Sequence, residues 1–310
     1  MKVLVTGADG FVGRFVVDAL LTRGDEVMGT LLPGRTAPTE RERLTWRPVD
    51  LTDGASVEAL FPQPVDAVIH LAAVASGLEA RRDPGHAWVV NAAGTARLAA
   101  ALGRLKERAW GDPLLLVVST GEVYGRGVGR PSVETDPVEP VSPYAASKLG
   151  AETAALAEAR RSGLRVIVAR SFPHTGPGHT GPYALPSFAE RIRAAAASGA
   201  RMVPTGNLDP VRDYLDVRDV AAAYLALVDR AEPGIYNVAS GEGHSLRALF
   251  ERLAQIAGHP VTPSPEPGLM RRGDLFYLVG DSTRLRRATG WAPAISLQQT
   301  LTDLMHAQAH

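Results

Sequence analysis

A chain of 310 residues, 45% of them apolar, carries enough hydrophobic material for one compact body with a fused second lobe. Its 33 Lys and Arg are matched by 33 Asp and Glu, which removes the electrostatic drive toward nucleic acid or anionic membrane and leaves a small molecule as the expected partner. With no cysteine, disulfides, thiolate metal sites and cysteine nucleophiles are excluded. No run approaches the ~20 apolar residues that span a bilayer. The first glycine turn starts at Gly7, too early for a signal peptide, so a cytoplasmic protein is expected.

In chain order, short apolar runs alternate with longer amphipathic stretches. Segments 2–6, 26–31, 44–49, 67–71, 114–119 and 165–170 read as strands, and 11–23, 84–105 and 143–162 as helices. The pattern predicts an α/β fold: a Rossmann-type, doubly wound parallel sheet over residues 1–170. From Ser171 the texture changes. Pro173, Gly176, Pro177, Gly178, Gly181, Pro182 and Pro186 crowd into a predicted long loop. Helices are expected again at 185–198, 217–229, 245–257 and 296–308, making 171–310 mainly a smaller substrate-binding lobe, with segments about 208–240 returning to the first domain.

Thr6-Gly7-Ala8-Asp9-Gly10-Phe11-Val12-Gly13 follows a strand and opens a helix, the context of a glycine-rich dinucleotide turn. Gly7 permits the turn, Gly10 lets backbone approach a pyrophosphate, and Gly13 lets helix pack on strand. Asp9, Phe11 and Val12 belong to the same lining. Free N–H groups at the helix start face the anion. The glycines alone are equally compatible with a tight turn that binds nothing. At the end of the second strand, where a carboxylate ordinarily holds the ribose hydroxyls, the chain reads Gly29-Thr30-Leu31-Leu32. Arg35 is then either the holder of a 2′-phosphate, favouring NADP(H) over NAD(H), or a solvated loop arginine. Asp50, followed by Leu51, accepts a bond from the adenine amino group, or else Asp50 or Asp53 caps a helix.

Tyr144 and Lys148 stand four residues apart in Pro143-Tyr144-Ala145-Ala146-Ser147-Lys148, so a helix projects both from one face. A phenol near its ordinary pKa of about 10 is a poor acid-base catalyst at neutral pH, and an adjacent ammonium lowers it. Such a pair also arises by chance on helix surfaces. Thr120, however, ends an apolar strand at the same sheet edge, where its hydroxyl can bond the oxygen that Tyr144 protonates. Glycine turn, acidic strand end, hydroxyl strand end and the Tyr/Lys pair follow in order, each after the expected element.

Thr6 to Gly13, His70-Leu71-Ala72-Ala73, Asn91, Thr120 and Tyr144 to Lys148 together resemble the extended short-chain dehydrogenase/reductases, the epimerase/dehydratase family of nucleotide-sugar enzymes. Arg170-Ser171-Phe172-Pro173-His174-Thr175-Gly176, Val211-Arg212-Asp213-Tyr214, Tyr236-Asn237-Val238 and Thr289-Gly290-Trp291 extend the resemblance toward the GDP-4-keto-6-deoxy-D-mannose reductases, then the GDP-mannose 4,6-dehydratases. The resemblance implies that Tyr144 donates a proton, that Lys148 holds the nicotinamide ribose and tunes Tyr144, and that Thr120 orients a C4 ketone. It further implies that Leu71, Ala72, Ala73, Asn91, Phe172 and His174 line the cofactor site, and that Glu122 occupies the place of the dehydratases' proton-moving carboxylate. Two departures stand out: Pro173 replaces a usual asparagine, and Leu31-Leu32 replaces the paired arginines of the dehydratases, favouring reductase.

Arg191, Arg212 and Arg272 fall in segments that the family uses for its substrate cleft, where arginine suits a diphosphate; surface ion pairs are the competing reading. No His and carboxylate spacing points to a metal. The resemblance also implies a homodimer through the two alanine-rich helices. A 4,6-dehydratase or 4-epimerase shares the same triad. A non-catalytic cofactor-binding sensor would ordinarily have lost the tyrosine or lysine, and this chain keeps both.

Overall fold

The computed structural model describes residues 1–38, 40–127, 129–270 and 275–307. Seven parallel strands form the central sheet: β1 (Lys2–Thr6), β2 (Glu26–Leu31), β3 (Leu44–Pro48), β4 (Ala67–His70), β5 (Leu114–Thr120), β6 (Arg165–Ser171) and β7 (Gly234–Val238). Their spatial order is β7-β6-β5-β4-β1-β2-β3, so the direction of winding reverses at β1, where a ligand crevice is expected. Inner strands such as β4 are buried on both faces, which is why they read as continuous apolar runs.

Helices cover both faces. α1 (Phe11–Arg23) ends on Gly24, whose positive φ of 91° turns its N–H back to the carbonyls of Leu20 and Leu21. Beyond Glu107, the end of α2 (Gly94–Glu107), the next long helix is α3 (Pro143–Ser162). It starts on Ser142, whose hydroxyl accepts from Ala145 N at 3.1 Å, with Pro143 at the first helical position. That cap fixes Tyr144 in the first turn. The sequence predicts one helix over 84–105; instead Pro84–Trp88 runs into a π-helical turn, Val89–Ala93, before α2. Insertion of a wider turn leaves the apolar periodicity almost intact, so the pattern does not reveal it.

The chain after Ser171 contributes α4 (Ala184–Ser198), α5 (Val217–Arg230), α6 (Leu246–Ile256) and α7 (Leu297–His306). α5 packs on α1 through a shared apolar cluster with Val16, Leu20, Val220 and Leu227, and β7 pairs with β6. α4, α6 and α7 enclose a separate core of Leu185, Phe188, Leu249, Phe250, Leu253 and Leu301. The predicted loop after Ser171 is interrupted by a two-residue strand, His174–Thr175, pairing with Leu215–Asp216. The expected end of the last helix, at Gln308, lies outside the described residues.

Two buried carboxylates tie the body together. Glu152 of α3 meets Arg170 of β6 at 2.8 Å, both nearly inaccessible. Asp213 accepts from Ser240 N, Ser240 Oγ and Gly241 N, at 2.6–2.9 Å, and from Gly280 N at 3.3 Å.

Candidate active site

One cleft of about 1340 Å³ runs along the carboxyl ends of the strands, larger than the roughly 300–1,000 Å³ usual for a single small ligand. Gly7, Asp9, Gly10, Phe11, Val12 and Gly13 line it, and so do Thr120, Glu122, Tyr144 and Lys148.

The phosphate turn is shaped by its neighbours. Gly7 has φ of 67°, and a Cβ there would stand 2.9 Å from the backbone of Ala72. A Cβ on Gly13 would overlap the Gly7 carbonyl. Gly10 caps α1 without a side chain, leaving first-turn N–H groups toward the cleft. These features fit a dinucleotide pyrophosphate. Thr30, fully buried, accepts from Gly7 N at 3.3 Å and so holds the turn from below. Arg35 lines the cleft paired with Asp9 at 2.6 Å, so neither reading of it stands alone: it is anchored, and it borders the site. Asp50 lines the cleft beside Leu51, its carboxylate accepting from Thr52 N and Oγ1 and held below its usual range by those bonds. Asp53, not Asp50, caps the short helix Gly54–Glu58.

Leu71, Ala72, Ala73, Phe172 and His174 line the cleft as well. Asn91 does not. It is buried in the π-helical turn, where its amide donates to Val74 O at 3.1 Å and Ser147 Oγ at 2.9 Å and its oxygen accepts from Val74 N. Asn91 braces Val74 in the cleft wall and, through Ser147, the carbonyl of Tyr144. A further bonded chain joins it to the phosphate turn, from Thr6 Oγ1 to His70 at 2.7 Å, His70 to Thr95 at 3.0 Å, and Thr95 to Asn91 O at 2.6 Å. Burial holds His70 neutral, its pKa pushed down to about 3.

Tyr144 behaves differently from the sequence expectation. Burial, then the charge of Glu122, pushes its phenol well above the usual value; the Thr120 hydroxyl offsets part of the rise. The phenol is thereby protonated at neutral pH, the form from which a ketone reduction starts, and a weaker acid than the Lys-lowered phenol of the sequence expectation. Lys148 is itself pushed down to about 8 by burial, with Glu152 pulling it up. Glu122 is reached by Ser142 Oγ at 3.4 Å, which ties it to the cap of α3.

In the lobe, Arg191 and Arg212 both line the cleft; Arg191 donates to Pro204 O at 2.9 Å and Arg212 to Val211 O at 2.9 Å. Arg272 lies outside the described residues. Sequence reasoning missed His179, whose ring stacks on Phe11 at 4.1 Å and meets Tyr183 at a tilt, 4.8 Å between centroids. A lone histidine in a glycine- and proline-rich loop carries no periodic signal. Among the described residues no cluster suits a metal ion, and no helix is long and apolar enough to cross a membrane.

A strand-ordered phosphate turn, a protonated tyrosine and a buried lysine on one cleft define a nicotinamide-dependent oxidoreductase site. The chain belongs to the NAD dependent epimerase/dehydratase family, whose model matches residues 3–239. It is 36% identical to a GDP-6-deoxy-D-mannose reductase of Pseudomonas aeruginosa, over 98% of this chain and 96% of that protein. The solved structure of RMD from Pseudomonas aeruginosa complexed with NADPH superposes with a TM-score of 0.82 at 35% identity, covering 98% of this chain and 97% of the other. A Thermus thermophilus UDP-glucose 4-epimerase in complex with NAD gives 0.85 at 32%, covering 99% and 100%.

Proposed function

We propose that this chain uses NADPH, in preference to NADH, to reduce the C4 ketone of a nucleotide-linked 4-keto-6-deoxy sugar, converting GDP-4-keto-6-deoxy-D-mannose to GDP-D-rhamnose, in the cytoplasm and as a homodimer. The observation that carries this reading is the convergence of Thr120, Tyr144 and Lys148 on the cleft that also holds the phosphate turn, in a chain similar end to end to a GDP-6-deoxy-D-mannose reductase. The reduced cofactor supplies hydride to the carbonyl carbon. Tyr144 gives its proton to the carbonyl oxygen, Thr120 holds that oxygen by its hydroxyl, and Lys148 binds the ribose with its ammonium. Arg191 and Arg212 meet the sugar's diphosphate from the lobe. Arg35 supports the NADPH preference, since no carboxylate at the end of β2 repels a 2′-phosphate. Exposed Trp88 and Val89, beside α3, support pairing of two copies there.

A second reading, 4-epimerase or 4,6-dehydratase, draws on Glu122, whose charge bears on Tyr144. Absorbance at 340 nm decides between them. Oxidation of NADPH with the 4-keto sugar, reduced about 10²–10⁴-fold in Tyr144→Phe with the melting temperature unchanged, is the expected result. Absence of oxidation in a protein that binds NADPH, with turnover of GDP-mannose or a UDP-sugar instead, would overturn the ketoreductase.

A further inference from the structure

Where β6 leaves the sheet, Ser171 stands in register with Thr120 of β5, so their side chains emerge on the same face at the cleft. The Ser171 hydroxyl lies 2.6 Å from the phenol of Tyr224, and both residues line the cleft. Tyr224 comes from α5, inside the apolar cluster that α1 shares, so the pair sits on the side of the sheet that α1 covers. A phenylalanine would fill that volume without a buried polar atom to satisfy. The hydroxyl therefore calls for a reason beyond packing.

Two hydroxyls own two protons, and their mutual bond uses one. Among the described residues neither oxygen has a second partner, so one O–H is left to point elsewhere. Ser171 keeps 6% of its surface and Tyr224 none, which makes the serine the member that faces a ligand and the tyrosine the group that fixes the serine's rotor. Ser171 is the register partner of Thr120 and lines the same cleft as Thr120 and Tyr144, so the pair belongs to the reacting part of the cleft.

A dinucleotide that begins beside Thr30 and Asp50 and crosses the turn at Gly10 must proceed past β4 toward β5 and β6, in the order that the strands stand in the sheet. Its nicotinamide ring then ends beside Thr120 and Ser171. We propose that Ser171, oriented by Tyr224, hydrogen-bonds the carboxamide of that ring and so sets which face of the ring meets the substrate ketone; Tyr224 is the positioning residue. This rests on the reading of the cleft as a nicotinamide site.

The test uses the full chain and two probes: NADPH, followed by its fluorescence, and adenosine 2′,5′-bisphosphate, which lacks the nicotinamide. Ser171→Ala is expected to weaken NADPH binding about three- to tenfold, the scale of one hydrogen bond, and to leave the bisphosphate unaffected. Ser171→Thr, which keeps the hydroxyl, should restore NADPH affinity, and Tyr224→Phe should cost a smaller factor of about two to five, again for NADPH alone. Equal weakening of both probes, or undiminished NADPH affinity in Ser171→Ala, would overturn the proposal. A wild-type chain that bound neither probe would instead overturn the dinucleotide reading, and this inference with it.

Discussion

The two ends of the cleft are built on different terms. On the sheet side, Thr120 stands at a strand end and Tyr144 in a capped first turn with Lys148 one turn on, and buried hydrogen bonds run from Thr6 through His70 and Thr95 to Asn91 and Ser147. On the lobe side, Arg191 and Arg212 reach the cleft from a helix and a three-residue strand, each held by a backbone carbonyl. The sheet side is held in place by the protein's own buried hydrogen bonds, as a reaction centre requires. On the lobe side the cleft is lined by long charged side chains, and the substrate contact proposed for them is the part of the reading that substitution tests most directly.

Substitutions can break that contrast, and the largest effect is expected on the sheet side. Glu152→Ala leaves Arg170 buried without its carboxylate and should destabilise the protein by about 3–5 kcal/mol, read by denaturant unfolding. A loss below 1 kcal/mol would mean that this side is less tightly specified than its contacts imply. On the lobe side, Arg212→Ala should raise KM for the nucleotide sugar about 10- to 100-fold, the range of a charged hydrogen bond, with NADPH affinity and melting temperature preserved. A comparable loss of NADPH affinity would show that the two ends are not separable.

The smallest effect is a pH response of Lys148. Its folded pKa of about 8 lies below the 10.5 of an unperturbed lysine, so between those values the unfolded chain binds more protons and this group adds stability as pH rises. Cofactor affinity should move the other way, falling several-fold from pH 7 to pH 9 as the ammonium is lost, whereas Lys148→Met should show a flat profile. A decline in both, tracked by circular dichroism and cofactor titration together, would point to unfolding rather than to Lys148.

Much of the sheet side was legible in the sequence because its signals are local. Glycine spacing, strand periodicity and the Tyr/Lys interval each fit within a single element, and the six strands expected before Ser171 lie within one residue of those found. What was not legible depended on partners far along the chain. The strands Met202–Thr205 and Thr262–Pro265 are short and rich in proline, and only their mutual pairing makes them strands. Asn91 was assigned to the cofactor because the family motif marks its position, yet the π-helical turn directs its amide inward. The rise in the Tyr144 pKa likewise follows from burial and from Glu122, quantities that a four-residue spacing does not encode.

The stacked rings of Phe11 and His179 bear on how such proteins can be recombined. Phe11 opens the helix of the phosphate turn, and His179 belongs to the loop that leads into the lobe, yet their rings lie nearly parallel, 8° apart. The seam between the two halves of the gene is therefore not a seam in the molecule. A chimera that imports a new lobe to change the sugar would bring a loop selected against a different residue at position 11, and its fitness would turn on restoring that ring partner along with the lobe.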